Sequence, residues 1–221
     1  MGGDKEMESN VMVYLMTGFL DSGKTQFLKF TLEQDYFQID GKTLLILCEE
    51  GEEEYNPMEM LKYGVVIEKI EDQEDLTEEY LEELNRKHEP ERVVVEYNGM
   101  WKVSDFESMK LPDGWEIEQK LTTVDASTFQ MYLTNLKPLF VEMVRGADMV
   151  LFNRCEDITP LAGYRRSVKV VSPQAEVIFE DEKGEIENIF EDEVPYDLKA
   201  PVVEIAKEDY GIWYVDMMEN A

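Results

Sequence analysis

Short apolar runs alternate along the chain with longer stretches in which apolar residues recur every three or four positions. The first pattern is typical of buried strands and the second of amphipathic helices. The pattern predicts strands at residues 11–16, 43–47, 92–96, 121–124, 149–152 and 176–179, and helices at residues 26–36, 77–87, 127–145 and 161–168. Because strands that alternate with helices build βαβ units, we expect an α/β fold with a mostly parallel central sheet and helices on both faces.

Three residues predict where these helices begin or are interrupted. Thr77 precedes two glutamates and predicts an N-cap, since its hydroxyl can accept a hydrogen bond from a backbone N–H of the first turn. Ser127 stands in the corresponding place before the helix at 127–145. Pro138 lies inside that helix and predicts a kink or break, because proline lacks the N–H that a helix interior needs.

The strongest chemical signal follows the first predicted strand. Residues 18–25 read Gly-Phe-Leu-Asp-Ser-Gly-Lys-Thr, a complete G-x-x-x-x-G-K-[ST] phosphate loop between a strand and a helix. We expect Lys24 to reach the β- and γ-phosphates of a nucleotide and the Thr25 hydroxyl to bind Mg²⁺. The residues predicted to hold the nucleotide here are Gly18, Asp21, Ser22, Gly23, Lys24 and Thr25. The alternative is a glycine-rich turn that carries Lys-Thr without a ligand.

A Mg²⁺ site of this kind needs a second acid at the tip of a neighbouring strand. Glu96 and Asp125 both stand at the ends of predicted strands. Glu96 is the preferred Mg²⁺ ligand because Gly99 follows three residues later, and a glycine lets a backbone N–H approach the γ-phosphate. Asp125 is then expected to orient its own loop or to cap the next helix.

Recognition of the base is expected after the strand at 149–152. Asn153 would brace the loop, the Arg154 stem would lie along the purine face, and Glu156 would accept two hydrogen bonds from guanine. Adenine lacks both of these N–H donors, so the Glu156 carboxylate would be left unpaired in a complex with adenine, and this cost would disfavour binding of adenine. Taken alone these residues are an ordinary polar loop, but the phosphate loop upstream favours guanine recognition.

The net charge of the chain indicates which classes of partner are not expected. The 221 residues include 50 acids and 21 bases, which gives a formal net charge of −29. Such a surface repels nucleic acid and anionic membranes, so we expect neither as a partner. The acidic runs have two interpretations: a solvated surface, or a face that meets a basic partner or collects cations.

Length and cysteine content suit one cytoplasmic domain. Residues 1–180 are expected to form it, with the acidic residues 181–221 as an extension packed on the same domain. No apolar stretch reaches the roughly 18 residues that a membrane span needs. The polar N-terminus predicts no targeting peptide, and Cys48 and Cys155 predict no disulfide framework. The sequence leaves a homodimer open.

In this order, the motifs resemble those of the CobW-type GTPases, relatives of UreG and HypB that act in metal-cofactor maturation. The resemblance spans roughly residues 11–180 and rests on six segments: 18–25 for the GFLGxGKT loop, 48–52 for the N-E-F-G-E switch, 96–99 for E-T-x-G, 124–126 for V-D-A, 153–156 for N-K-x-D and 172–175 for N-P-x-A. It implies a P-loop NTPase fold, GTP or GDP with Mg²⁺ as cofactors, and slow GTP hydrolysis coupled to an unidentified protein partner. It also implies that Glu49 or Glu52 orients water or the metal and that Ser172 lies beside the base.

The chain departs from this family in several places. No cysteine lies between the switch segment and Glu96, where the family carries C-x-C-C, so we do not expect a tight site for transition-metal transfer. Asp21 replaces a glycine and is expected to weaken phosphate binding unless it points away, and Glu156 replaces an aspartate and is expected to loosen the guanine geometry. Asn98 replaces a switch residue, so hydrolysis is expected to be slow or lost. Two alternatives therefore stay open: a nucleotide-dependent scaffold or sensor without hydrolysis, and an ATP-dependent small-molecule kinase.

Overall fold

The computed structural model describes residues 10–51, 53–156 and 161–180, and the backbone alone of residues 186–187, 203–207 and 213–217. A sheet of eight strands runs through this part of the chain. Its strands are β1 (Val11–Thr17), β2 (Thr43–Leu47), β3 (Val65–Lys69), β4 (Arg92–Glu96), β5 (Trp115–Asp125), β6 (Met149–Asn153), β7 (Glu176–Glu180) and β8 (Ile186–Glu187). Their spatial order is β3-β2-β4-β1-β5-β6-β7-β8. The first seven are parallel, and β8 pairs antiparallel with β7.

Helices connect most of these strands. They are α1 (Lys24–Leu32), α2 (Pro57–Met60), α3 (Glu78–His88), α4 (Val103–Glu107), α5 (Phe129–Asn135), α6 (Lys137–Val144) and α7 (Leu161–Val171). Short 3-10 turns lie at Asp35–Phe37, Leu61–Tyr63 and Gln73–Asp75. Further along the chain, β9 (Val203–Lys207) and β10 (Trp213–Met217) pair antiparallel in a separate two-stranded ribbon.

Alternate side chains of the inner strands pack into two cores on opposite faces of the sheet. One core joins Val13, Leu15, Leu44, Ile46, Val93 and Val95 to helix residues that include Leu81, Phe106, Phe129, Phe140 and Val168. The other joins Met16, Leu45, Leu47 and Val94 to Leu28, Leu32 and Met60. Because buried parallel strands need cover on both sides, α1 and α2 lie on one face and α3 to α7 on the other. The predicted α/β architecture is confirmed.

Within residues 10–180, two stretches of strand were missed by the sequence prediction. β3 lies at the edge of the sheet and ends in Glu68 and Lys69, so its short apolar run resembles a loop. The first half of β5 alternates apolar and charged residues: Trp115 and Ile117 pack on the core, whereas Glu116 is exposed. That alternation of period two is the sequence signal of a half-buried strand.

The helix predicted at 127–145 is divided in two. The chain breaks at Leu136, whose φ and ψ of −125° and 31° are not helical. Pro138 then occupies the first turn of α6, where its missing N–H costs nothing. The predicted interruption is therefore confirmed.

Of the two predicted helix caps, one is correct. The Thr77 hydroxyl accepts a hydrogen bond of 3.1 Å from the Tyr80 N–H and caps α3. Ser127 is not a cap, since α5 begins two residues later at Phe129. Its hydroxyl and its backbone N–H both donate to Asp125, at 2.6 and 2.8 Å, so they are held outside the helix.

The topology brings several loops together at one edge of the sheet. Because the strands are parallel, the carboxyl ends of β1, β4, β5 and β6 all lie at that edge. β1 stands between β4 and β5, and a ligand of an open α/β sheet binds outside such a crossover point. The loop that follows β1 is the predicted phosphate loop.

Two further expectations concern residues 181–221 and the membrane. The predicted packing of residues 181–221 on the domain falls almost wholly outside the described residues and stays a prediction. Among the described helices, none is both long and apolar enough to cross a membrane.

Candidate nucleotide-binding site

The phosphate loop joins β1 to α1 through unusual backbone angles. Gly18, Asp21 and Gly23 have φ values of 145°, 58° and 90°. Glycine adopts positive φ freely, and aspartate tolerates it better than most residues do. The Ser22 hydroxyl lies 2.9 Å from that of Thr123, which ties the loop to β5. Gly23 is the N-cap of α1, so the free N–H groups of the first helical turn face the loop.

Lys24 is almost fully buried, with 3% of its surface exposed. Its Nζ donates to the carbonyl oxygens of Gly18 and Phe19 at 2.9 and 3.0 Å, and it forms an ion pair with Glu49. The other oxygen of Glu49 accepts the Gly99 N–H at 3.2 Å. Glu49 therefore links Lys24 and Gly99, the two residues that the sequence assigned to the terminal phosphate.

Thr25 and Glu96, the two predicted Mg²⁺ ligands, also lie in contact. The Thr25 hydroxyl donates to Glu96 Oε1 at 2.6 Å, and the Tyr55 hydroxyl donates to Glu96 Oε2 at 2.6 Å. Burial raises the pKa of Glu96, and the hydrogen bonds from Thr25 and Tyr55 together with the charge of Lys24 offset this only in part. A buried carboxylate with no cation bound directly to it is a suitable ligand for a divalent metal.

Gly99 is required by a close backbone approach. A Cβ at this position would lie 2.3 Å from the Gly18 carbonyl oxygen and 2.8 Å from Phe19 Cα. Both are backbone atoms of the phosphate loop, so no side-chain rotation could relieve the clash. The glycine therefore keeps the loop after β4 against the loop after β1.

The loop after β6 is bonded directly to the phosphate loop. Asn153 Nδ2 donates to the Ser22 carbonyl at 2.8 Å, and Arg154 Nη1 donates to the Asp21 carbonyl at 2.8 Å. A Cβ on Gly23 would lie 2.3 Å from Asn153 Nδ2, so this contact also depends on a glycine. Asn153 Oδ1 is buried and bonds to no described residue.

Asp125 does not take part in the Mg²⁺ pair. Its carboxylate accepts hydrogen bonds from Ser127 and from Arg154 Nη1, the latter at 2.7 Å. It therefore orients its own loop, which is one of the two roles expected of it, and it also holds Arg154, which was not predicted. The exposed Asp21 is held through its backbone carbonyl, so its replacement of a glycine leaves the left-handed turn in place.

Ser172 is not in the site, so the prediction that it lies beside the base is wrong. It precedes β7, and its hydroxyl lies 3.5 Å from the carbonyl of Ala147, which precedes β6. Both residues are at the amino ends of their strands, whereas the phosphate loop lies at the carboxyl ends. A five-residue strand is about 16 Å long, so the sheet separates Ser172 from the cleft. Glu156 lies exposed in the turn after β6.

Both cysteines are free and buried. Burial raises the pKa of the Cys155 thiol to about 11, and burial together with the charges of Glu96 and Glu49 raises that of Cys48. Within the described ranges, no three His, Cys, Asp or Glu side chains are grouped so that they could hold a metal ion. Any metal site built from these residues would need further ligands, such as phosphate oxygens or water.

A cleft of about 150 Å³ opens between these loops. Its lining residues are Leu20, Asp21, Gly23, Lys24, Thr25, Gln26, Glu49, Gly51, Glu53, Glu96 and Arg154. Carboxylates outnumber cationic side chains in this set. A polyphosphate would therefore need a bound cation as well as the backbone N–H groups of the loop.

Two contacts of the site were missed by sequence reasoning. Tyr55 follows the acidic switch segment and belongs to no motif, so no pattern connects its hydroxyl to Glu96. Phe19 occupies a variable position of the phosphate loop, and its ring stacks on Tyr132 of α5 at 4.2 Å between centroids. This stack fixes the loop to the helix layer.

Comparison with known families decides what kind of domain this is. The family model described as the CobW/HypB/UreG nucleotide-binding domain matches residues 12–179, most of the chain. The chain belongs to the CobW/HypB/UreG family. The predicted family and the P-loop NTPase fold are thereby confirmed. No curated protein matches the chain.

Solved structures agree with the fold of this CobW/HypB/UreG domain. The zinc-bound YjiA GTPase from E. coli superposes with a TM-score of 0.59 at 22% identity, covering 81% of this chain and 60% of YjiA. The hydrogenase maturation factor HypB from Archaeoglobus fulgidus superposes with a TM-score of 0.53 at 19% identity, covering 80% of this chain and 83% of HypB. The chain thus spans well under two thirds of the YjiA chain.

Proposed function

We propose that this domain binds GTP with Mg²⁺ and hydrolyses it slowly, as a cytoplasmic switch that acts on a protein partner in metal-cofactor maturation. The observation that carries the proposal is the convergence of Lys24, Thr25 and Glu96 on one cleft beside the phosphate loop, where the Gly99 N–H is bonded to the cleft residue Glu49. The partner and pathway rest on family membership and on relatives described as a GTPase and a hydrogenase maturation factor.

The residues present suit Mg²⁺. This ion prefers oxygen ligands and usually binds through one or two protein groups together with phosphates and water. Thr25 and Glu96 supply such oxygens 2.6 Å apart, and burial raises the pKa of Glu96 as expected for a carboxylate that lacks its cation. When bound, Mg²⁺ neutralises charge that develops on the transferred phosphoryl group.

Lys24, Gly99 and the N–H groups of the loop would orient and stabilise the phosphates. Lys24 is held in place by the Gly18 and Phe19 carbonyls, so it needs little reorganisation to meet an anion. Without help from a partner, turnover on the order of 10⁻⁴ to 10⁻² per second is expected for such switches.

Guanine recognition is proposed for the loop after β6. Asn153 and Arg154 bond to the phosphate loop, so base and phosphate sites are coupled through the protein. Glu156 would accept from guanine N1–H and the 2-amino group. The unpartnered Asn153 Oδ1 offers a further acceptor that a bound ligand could satisfy.

A scaffold without hydrolysis is the second candidate. Asn98 occupies a switch position, and its side chain accepts the N–H of Met100 at 2.9 Å within its own turn. This bond engages Asn98 Oδ1, the atom of the side chain that would accept a hydrogen bond from an attacking water. Release of phosphate from bound GTP, measured with a candidate partner present, separates the two functions: multiple turnovers support the switch, and none supports the scaffold.

Thermal unfolding tests the nucleotide site. Mg²⁺ with GTP, GDP or ATP would be added to the wild type, to Lys24→Ala and to the control Lys29→Ala, a partly exposed lysine of the same helix that does not line the cleft. At a hundredfold excess over Kd a ligand stabilises the protein by about 2.7 kcal/mol, which is roughly 5–10 °C for this length.

We expect GTP and GDP to raise the Tm of the wild type and of Lys29→Ala but not that of Lys24→Ala. An equal shift with ATP would contradict guanine recognition and favour the kinase alternative. No shift with any nucleotide would contradict the proposed function as a whole.

A further inference from the structure

The carboxylate of Glu49 occupies the place where a terminal phosphate is expected. One of its oxygens is paired with Lys24 Nζ, and the other accepts the Gly99 N–H at 3.2 Å. These are the two donors that the proposed function assigns to the γ-phosphate. The side chains of Lys24 and Glu49 are 3% and 9% exposed, so this pairing is made within the protein and not at its surface.

A carboxylate can replace a phosphate at such a position because both are anions with oxygens that accept charge-assisted hydrogen bonds. They cannot occupy it together, since two like charges at contact distance in a buried site repel strongly. A nucleoside triphosphate must therefore displace Glu49 from Lys24 and from Gly99 before its terminal phosphate can bind.

A second contact holds the same segment over the cleft. Tyr55, six residues after Glu49, donates to Glu96 Oε2 at 2.6 Å. The segment is thus attached to the site at two points: Glu49 at the terminal-phosphate donors and Tyr55 at the predicted Mg²⁺ ligand. Binding of a triphosphate with its metal would have to release or rearrange both.

A nucleoside diphosphate makes a smaller demand. Its two phosphates can be bound by the loop N–H groups that begin at Gly23, and it has no group to place against the Gly99 N–H. The contact between Glu49 and Gly99 can then stay intact, and Lys24 can bridge the β-phosphate and the carboxylate. The resting site is therefore already suited to the diphosphate.

On the basis of the proposed function, we infer that Glu49 determines specificity for phosphate number: it occupies the terminal-phosphate position and so favours GDP over GTP. The apparent Kd of a ligand rises in inverse proportion to the fraction of protein that is open to it. If Glu49 is in place in 90 to 99% of molecules, GTP binds roughly tenfold to a hundredfold more weakly than it would to an open site.

Titration calorimetry with Mg²⁺ and either GDP or β,γ-imido-GTP tests this inference, since the imido analogue is not consumed. The variants are Glu49→Gln, which keeps the shape and removes the charge, and Glu49→Asp, which keeps the charge but shortens the reach. Glu50→Gln is the control, because it removes one charge from the adjacent exposed residue, which pairs with Lys69 at 2.8 Å.

We expect Glu49→Gln to tighten binding of the triphosphate analogue by about tenfold or more and to change GDP binding by less than about threefold. Glu49→Asp should change the ratio in the same direction by a smaller factor, and Glu50→Gln should leave it unchanged. Because the inference concerns a ratio of two affinities in one folded variant, a general loss of stability would not imitate it.

The outcomes separate this inference from the proposed function. If the wild type binds both nucleotides and Glu49→Gln leaves their ratio unchanged or weakens the triphosphate, the inference is overturned and the proposed function stands. If Glu49→Gln binds the analogue and the wild type does not, the inference is supported in its strongest form. If no variant binds either nucleotide, both are overturned.

Discussion

Two glutamates in this protein have opposite environments. Glu96, in the cleft, is 3% exposed and accepts hydrogen bonds from two uncharged hydroxyl groups. Glu68, on β3, has a side chain that is 18% exposed and accepts from Lys87 Nζ and His88 Nε2, both at 2.6 Å. Burial raises the pKa of Glu96. Burial also acts to raise the pKa of Glu68, but the hydrogen bonds from Lys87 and His88 outweigh it and lower the pKa.

The difference distinguishes a carboxylate that waits for a ligand from one that supports the fold. Keeping Glu96 ionised without a bonded cation costs folding free energy, which a metal ion would recover on binding. Glu68 has a cationic partner, Lys87, within the protein and stabilises the end of α3. The unfolding free energy should therefore respond in opposite ways to substitutions in the cleft and to substitutions in the outer helices, and the contributions of Glu96 and Glu68 to it should depend on pH with opposite signs.

The largest effect is expected at a glycine of the cleft. Gly99→Ala would place a Cβ 2.3 Å from the Gly18 carbonyl, so the two loops must move apart. We expect a loss of about 1–3 kcal/mol in unfolding free energy from overpacking. Alanine keeps the backbone N–H, but the forced movement of the loop would displace this donor and should weaken Mg²⁺–GTP binding by about tenfold or more. Denaturant unfolding and calorimetry measure the two effects.

The matched substitution on an outer helix should do the reverse. Gly163 lies in α7, and a Cβ there would meet nothing within 4 Å. Gly163→Ala should raise the unfolding free energy by roughly 0.5–1 kcal/mol, because glycine loses more backbone entropy in a helix than alanine does. Equal responses of Gly99 and Gly163 would remove the contrast between the two regions.

Most of the fold could be predicted because the buried strands are short apolar runs and the phosphate loop has a fixed spacing. β3 was missed because an edge strand needs only one apolar side, and Tyr55 because its contact with Glu96 depends on how a loop folds. Ser172 was misplaced for a different reason. The motif that contains it matched in sequence, but the start of a parallel strand lies at the edge opposite the cleft.

Glu96→Gln tests the cost of the buried carboxylate. Because the pKa of Glu96 is raised above its ordinary value of 4.5, the folded wild type holds this proton more tightly than the unfolded chain. Its stability contribution is present below that ordinary value and is lost as the pH rises through the raised one. Relative to wild type, Glu96→Gln should therefore gain stability with rising pH, on the order of 1 kcal/mol, while losing Mg²⁺-dependent nucleotide binding.

Glu118→Gln is the control for that measurement, since it removes the same charge from an exposed position on β5. The comparison is between unfolding free energies at pH 5 and pH 8 in the absence of nucleotide. If the unfolding free energy of Glu96→Gln depended on pH as that of the control does, burial would not raise the pKa of Glu96. If nucleotide binding by Glu96→Gln still depended on Mg²⁺, Glu96 would not belong to the proposed metal site.

An effect with the opposite pH dependence is expected at Glu68. Because its pKa is lowered, its contribution to stability is present above the ordinary value of 4.5 and is lost as the pH falls through the lowered value. Glu68→Gln should therefore be less stable than wild type by about 0.5–1 kcal/mol at pH 7, the range of partly exposed ion pairs, and the deficit should shrink towards pH 3. Since salt screens exposed ion pairs, the loss of unfolding free energy in Glu68→Gln at pH 7 should also become smaller in 1 M NaCl. The change in unfolding free energy caused by Glu96→Gln should not depend on salt in this way, because Glu96 lies in the buried cleft. Deficits of Glu68→Gln that were independent of both pH and salt would instead assign the role of Glu68 to packing against α3.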